Sequence, residues 1–315
     1  MLSEFLLKNP SFEGNFACLS HASDFENQAQ VNKVFSDKWQ VCEKTMTEDD
    51  SFYRFQKNWY LKLYGFSSEA ELAEFLSDKK VIFDAGCGLG YKAAWFAQMA
   101  PHAVVVGMDY SAAAKQAAEQ YKGVKNLFFV QGDISKPFFR KGVVDFVSCD
   151  QVIMHTENPE NTFFQLAQAL KLGGEFACYV YAKKALPREL LDEYWRSRCK
   201  SLTHKDLLDL SEQLTELGRT LSDLKLTIDF PDIPLLGIKG GRQDLQRFLY
   251  WNFIKCFWNA DLGREVSMVT NYDWYSPSNA KRYSKEEFET LVRSNGLKIV
   301  YFHSEESCYS GRFKV

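Results

Sequence analysis

The eight cysteines, at 18, 42, 87, 149, 178, 199, 256 and 308, form no C-x-x-C pair. That spacing lacks the common zinc motifs and gives no disulfide framework, so no metal site is expected. Several thiols lie inside apolar runs, where a thiol packs as a small hydrophobe, and the expectation is a reduced, cytoplasmic protein. Runs of Lys or Arg are missing too, and the net charge is −3, which turns the reading away from nucleic acid as a partner. No stretch approaches the ~18 to 20 apolar residues that span a bilayer, so no membrane span is expected. The opening MLSEFLLKNP has neither the basic region nor the cleavage site of a targeting segment. Internal repeats and low-complexity segments are also missing. What remains is 315 residues, 46% hydrophobic and 25% charged, an ordinary globular composition with length for a large core and additions.

Residues 1–78 are rich in aromatics and charge and show no alternation of strand type. FYRFQKNWYLKLYGF (52–66) carries apolar residues at helical spacing, and SSEAELAEFLSD (67–78) opens on a good cap, Ser67 or Ser68. The region is expected to be a helical cover. From residue 79 the rhythm changes. Strands KKVIFDAG, HAVVVGMDY, NLFFVQGDIS, VVDFVSCDQ and EFACYVYAKK alternate with helices YKAAWFAQMA, SAAAKQAAEQY and ENTFFQLAQALKLGG (160–174). Such alternation calls for a parallel sheet with helices on both faces. Residues 185–280 break the rhythm with two amphipathic helices, 186–218 and 242–263, read as a lid or substrate-binding insertion. The rhythm resumes in a helix with a capping box, Ser284 and Glu287, followed by two strands, 297–303 and 307–315, that should form a hairpin.

The stretch VIFDAGCGLGYKAA (81–94) places three glycines at the end of an apolar strand and the start of a helix. Glycines there permit a tight turn and let a ligand approach the main chain, while the helix start adds unpaired N–H groups. Two ligand classes use such a turn. A dinucleotide fingerprint, G-x-G-x-x-G, needs glycine where Tyr91 stands; the chain reads G-x-G-x-G instead, behind Asp84. The second strand then ends at Asp109, where a carboxylate can accept from two ribose hydroxyls. The third ends at Gly132-Asp133-Ile134, where a carboxylate can accept from an exocyclic adenine amine. Both lie where open α/β sheets bind ligands, at the carboxyl ends of adjacent strands.

DAGCGLG, VVGMDYS, FVQGDIS, VVDFVSCDQVIMHT and LKLGGEF resemble, in order and interval, the successive motifs of class I S-adenosylmethionine-dependent methyltransferases. The resemblance covers about residues 79–184, and 281–315 resembles the end of that fold. It implies a Rossmann-like sheet of seven strands, mostly parallel with an antiparallel last strand. The domains would be a cover at 1–78, a core at 79–184 with 281–315, and a lid at 185–280. It also implies that Asp84 and the backbone of Gly86, Cys87, Gly88 and Gly90 surround the methionine part of S-adenosylmethionine. Asp109 would hold the ribose, Tyr110 would lie against the adenine, and Asp133 with the Ile134 amide would read the adenine edge. The Asp150 main chain would meet the amino-acid end. The segment 149–174 resembles a subgroup acting on small molecules, and wider features resemble uncharacterised bacterial methyltransferases.

Methyl transfer from a sulfonium is an in-line displacement, so the protein chiefly aligns the acceptor and excludes water. An oxygen or acidic-carbon acceptor also benefits from a nearby base, and His155, just past the fourth strand, is the leading candidate. The plain alternative is a histidine bonded to backbone at a helix start. Tyr250, Trp251, Phe253, Phe257 and Trp258 either line an acceptor pocket or pack the insertion; Trp39, Tyr272, Trp274, Tyr275 and Arg312 are further candidates. The segment CDQV lacks the pattern of enzymes that methylate nucleobase or glutamine nitrogens. A small-molecule methyltransferase yielding S-adenosylhomocysteine is the leading expectation. The others are a nicotinamide-dependent oxidoreductase, a non-catalytic binding protein of the same fold, and a different use of the same cofactor.

Overall fold

The computed structural model describes residues 2–19, 26–45 and 51–315, and side chains outside 37–52. It divides into two compact units, Met1–Ala182 with Lys281–Val315, and Lys183–Ala280.

The larger unit runs β1 (Phe16–Cys18), α1 (Glu26–Thr45), α2 (Ser51–Tyr64), α3 (Glu69–Leu76), β2 (Val81–Ala85), α4 (Tyr91–Met99), β3 (Val104–Asp109), α5 (Ala113–Gln120), β4 (Leu127–Gln131), β5 (Val144–Cys149), α6 (Pro159–Ala169) and β6 (Leu170–Ala182). In the smaller unit α7 (Leu186–Cys199) and α8 (His204–Asp223) precede a hairpin, β7 (Thr227–Phe230) and β8 (Gly241–Asp244), then α9 (Leu245–Asn252) and α10 (Gly263–Tyr275). The larger unit closes with β9 (Arg282–Tyr283), α11 (Lys285–Ser294), β10 (Lys298–Ser304) and β11 (Cys308–Lys314).

The sheet order is β1-β4-β3-β2-β5-β6-β11-β10, with β9 also beside β6. Every pairing is parallel except those of β11, which runs antiparallel to both β6 and β10. The five central parallel strands therefore end on one edge, and their carboxyl termini collect Ala85, Asp109, Gln131, Cys149 and Ala182.

Burial follows from the pleat. Val81, Phe83 and Ala85 face a core completed by Phe163 and Leu166 of α6 and Phe288 and Leu291 of α11. Ile82 points the other way, into a core with Tyr60 and Tyr64 of α2, Leu72 of α3 and Phe96 of α4. Strands buried on both faces read as continuous apolar runs, which is why 81–85 carries no polar alternation. Each large side chain removed from water in this way contributes roughly 1.5–3 kcal/mol. Asp145 pins the far edge: its Oδ2 accepts from the Lys80 and Val81 amides at 3.1 and 2.9 Å, tying the start of β2 to β5.

Four elements differ from expectation. Among the described residues the sheet has nine strands, because β1 adds to its edge and β9 to β6; at three and two residues they are too short for alternation to show. The helix expected at 160–174 ends at Ala169, and LKLGG enters β6. Gly173, at φ 79°, serves a register shift between β5 and β6 and does not stop a helix. The helix expected at 186–218 is two helices, because Thr203 and Asp206 form a capping box that starts α8 anew. The one expected at 242–263 is only α9, preceded by the β7–β8 hairpin. Among the described residues no helix is long and apolar enough to cross a membrane.

Candidate active site

At the carboxyl edge of β2 the chain turns sharply. The Gly86 and Cys87 amides both donate to the Met108 carbonyl, at 2.7 and 3.0 Å, so the turn is bonded to β3. Gly86 has φ 87°, and a Cβ there would meet the Val152 side chain at 2.3 Å. Gly90, at φ 79°, starts α4; a Cβ there would meet the Phe129 ring at 2.6 Å. These two glycines are thus required by positive φ and by the protein's own packing, beyond the ligand access first read into them.

The corners at 86, 109 and 133 converge. The Gly88 amide donates to Asp109 Oδ2 at 2.9 Å. Asp109 Oδ1 accepts from the Ser111 amide and hydroxyl at 2.9 and 2.6 Å, and the Gly132 amide donates to the Asp109 carbonyl at 2.9 Å. Burial nevertheless holds the Asp109 carboxyl above its ordinary range. Asp133 accepts from the Ser135 amide at 2.8 Å, Ile134 is buried and Tyr110 half-buried beside Asp109.

Asp84 is different. Its side chain is fully buried, and among the described residues neither carboxylate oxygen has a donor in good hydrogen-bond geometry, the Ala93 amide giving only a weak contact. Burial pushes its pKa up to about 6, with the Lys92 ammonium opposing and the Asp150 and Asp109 carboxylates adding. Asp150, whose main chain is expected to meet the amino-acid end, has its side chain bonded twice. Lys92 Nζ donates to Asp150 Oδ2 at 2.7 Å and the Tyr64 hydroxyl to Oδ1 at 2.8 Å, both buried. The Tyr60 hydroxyl, one turn earlier on α2, donates to Ser148 Oγ at 3.1 Å. Lys92, Tyr60 and Tyr64 were not anticipated. Lys92 had a signal, since it is the one charge in the helix YKAAWFAQM, and it is 6% exposed.

His155 lies in a 3₁₀ turn, Ile153–His155, after β5, and is buried. Its amide donates to the Val152 carbonyl at 2.9 Å. The ring contacts Phe35 and Tyr181 edge-on, with centroids 5.1 and 5.5 Å away, and Nε2 is 3.3 Å from the Tyr181 hydroxyl. Arg312 belongs elsewhere: it stacks on Phe66 and Phe75 and bonds Glu175 near the start of β6. The Trp39 side chain lies outside those described. Tyr250, Tyr272, Trp274 and Tyr275 are buried within the smaller unit.

The profile of the methyltransferase domain family matches residues 83–178, the stretch from β2 to β6 that carries all of these corners. Residues 83–178 thus carry the pattern of a methyltransferase domain. Over 155 residues the chain is 26% identical to a malonyl-[acyl-carrier protein] O-methyltransferase of Legionella pneumophila, covering 49% of this chain and 44% of that protein. Over 103 residues it is 35% identical to a trans-aconitate 2-methyltransferase of Deinococcus radiodurans, covering 32% and 38%. It also matches the sterol 24-C-methyltransferase ERG6 of Saccharomyces cerevisiae, 32% identical over 103 residues, 31% of this chain and 27% of that one. The chain thus spans less than half the length of these curated relatives. Among solved structures it is similar to magnesium protoporphyrin IX methyltransferase from Synechocystis PCC 6803 with bound SAH, at 15% identity, over 91% and 98% of the two chains, with a TM-score of 0.46.

A methyltransferase domain of this class takes S-adenosylmethionine, and the buried charges suit it. Asp84, Asp109 and Asp150 against Lys92 leave two negative charges in excess, and the cofactor's sulfonium, ammonium and carboxylate, which sum to one positive, would offset one of them. An orphaned buried carboxylate is costly unless a cation meets it.

Proposed function

We propose that the protein transfers the methyl group of S-adenosylmethionine to an oxygen or carbon of a small-molecule acceptor. The observation that carries this is Asp84, a buried carboxylate without a donor in good geometry, at the head of a turn made for a nucleoside-bearing ligand. The cofactor supplies an electrophilic methyl on a sulfonium leaving group; the residues bind, orient and manage a proton. Asp84 accepts from the cofactor's ammonium, and Lys92, held by Asp150, is the cation for its carboxylate end. The backbone of Gly86, Cys87, Gly88 and Gly90 surrounds the methionine part. Asp109, fixed by Gly88 and Ser111, takes the ribose hydroxyls; Tyr110 covers the adenine, and Asp133 with the Ile134 amide reads its edge.

His155 is the general base. The imidazole is buried while Tyr181 is half-buried, so the acceptor's proton passes through the Tyr181 hydroxyl to Nε2. Relatives named for trans-aconitate and for a sterol support a small acceptor.

Calorimetric titration tests the reading. S-adenosylmethionine binds the wild-type protein, and Asp84→Asn, still folded by circular dichroism, loses roughly 10- to 100-fold in affinity, the worth of hydrogen bonds to a charged group. No heat from folded wild type, or heat with NAD in its place, would overturn it. With an acceptor found by screening, His155→Ala lowers turnover by roughly 10²- to 10⁴-fold at unchanged cofactor affinity. Unchanged turnover would make His155 a backbone-bonded structural residue.

A further inference from the structure

The expectation of no metal site rested on the absence of cysteine pairs, and one cluster evades that test because its donors are of three kinds. His303 and Glu305 end β10 and open the turn, and Cys308 begins β11, in the spacing H-x-E-x-x-C. The turn is closed twice by backbone: the Glu305 amide donates to the Cys308 carbonyl at 3.1 Å, and the Cys308 amide to the Glu305 carbonyl at 3.3 Å. Sheet pairing of Cys308 with Tyr181 and of Ser304 with Tyr309 holds the flanks.

The donors already converge. His303 Nε2 is 3.1 Å from Glu305 Oε2, and the Cys308 thiol donates to Glu305 Oε1 at 3.7 Å. All three ligand atoms lie within 4.8 Å of one another. A tetrahedral zinc with bonds of about 2.0–2.3 Å spaces its ligand atoms by roughly 3.3–3.8 Å, so the widest pair must close by about an ångström. The Ser307 hydroxyl donates to Glu305 Oε1 at 2.6 Å and fixes the carboxylate.

We propose that this hairpin turn binds a thiophilic divalent cation, of the zinc class, through His303 Nε2, the Glu305 carboxylate and Cys308 Sγ. Imidazole, carboxylate and thiolate are the zinc donor set, and the two anions neutralise the dication while a fourth position stays open to water. Binding replaces the S–H proton by the metal, so one proton is released to solvent. A side-chain cation already sits at the carboxylate: Lys62 Nζ is 3.2 Å from Glu305 Oε2, and its side chain is 62% exposed. Such an exposed pair is worth only ~0–1 kcal/mol, so Lys62 yields to a metal. The His303 and Glu305 side chains, 12% and 24% exposed, leave an entry. Cys308 lies across the sheet from Tyr181, but the proposal does not depend on the methyl-transfer reading.

Titration of the full chain with zinc, and separately with cobalt, decides the matter. One equivalent of zinc binds, releasing about one proton when the heats are compared in two buffers of different ionisation enthalpy. Cobalt gives a thiolate-to-metal charge-transfer band. Cys308→Ser removes the band, His303→Gln weakens binding at least tenfold, and Lys62→Ala, on the surface, tightens it by removing the competing ammonium. Absence of stoichiometric binding to folded protein, a band that survives Cys308→Ser, or weaker binding in Lys62→Ala would each overturn the proposal.

Discussion

The two units each bury a cluster of charge, and the clusters are opposite in the sign of the charge they leave over. In the smaller unit Asp192 is saturated: Oδ2 accepts from Arg188 Nε at 2.9 Å and Trp274 Nε1 at 2.8 Å, and Oδ1 from the Tyr275 hydroxyl at 2.7 Å. Arg188 also donates to the Tyr250 carbonyl and is 1% exposed. There the surplus is cationic, in Lys255. In the core the surplus is carboxylate, and neither oxygen of Asp84 has a donor in good hydrogen-bond geometry. A charge with every lone pair answered is architecture; a charge left unanswered beside a glycine turn marks where a ligand of opposite sign belongs.

The sharpest way to break that contrast is to remove the saturated anion. Asp192→Ala strands Arg188 in the interior and takes the partners of Trp274 and Tyr275, at a cost of roughly 3–5 kcal/mol in denaturant unfolding. A loss under about 1 kcal/mol would show that Asp192 does not organise its unit.

The second test sharpens the contrast by pH. Asp84 has its folded pKa raised from 3.8 to about 6. For an acid so raised, the fold holds more protons than the unfolded chain between about pH 4 and 6, so its burial cost is relieved as pH falls through that window and is full above it. Cofactor binding needs the ionised form and runs the other way. Affinity for S-adenosylmethionine should fall about tenfold between pH 7 and pH 5, since one pH unit below the pKa leaves about a tenth of the carboxylate charged. Asp84→Asn should flatten that profile. An affinity flat across pH 5–7 in wild type would separate Asp84 from the ligand.

How much of this was legible depends on what the chain encodes locally. The turn at 86–90 and the strand ends at Asp109 and Asp133 were readable because the glycines and carboxylates fall at fixed distances from long apolar runs. The capping box at Ser284 was readable because both partners lie within one turn of helix. Lys92–Asp150–Tyr64 was not, because its partners lie 58 and 86 residues apart and meet only when α2 and α4 pack on β5. The break between α7 and α8 was misread for the opposite reason: amphipathic periodicity continues through Lys200–Thr203, and only the Thr203–Asp206 cap interrupts it. In the same way β1 is created by the open edge of β4 and by nothing in FAC itself.

The smallest effect tests the unanswered cation of the smaller unit. Lys255 is 4% exposed, donates to the Tyr250 hydroxyl at 3.1 Å, and has no carboxylate within ion-pair distance among the described residues. Its ammonium lies 4.9, 5.0 and 5.6 Å from the ring centres of Trp274, Tyr250 and Phe257. Burial, reinforced by Arg188, lowers its pKa to about 7 against the partial pull of Asp192 and Asp273. For a base so lowered, the unfolded chain holds a proton that the fold lacks between pH 7 and about 10, so stability climbs through that window and the charging cost is full below it. Lys255→Met keeps the stem and removes the charge, and it should stabilise the protein by about 1 kcal/mol at pH 7, the low end for replacing a buried ion by an apolar side chain. The gain should vanish near pH 10. Parallel stability profiles of the two proteins from pH 7 to 10, or a loss at pH 7, would mean that the ammonium is held by something these rings and Tyr250 do not supply, and the contrast between the two clusters would fail on its cationic side.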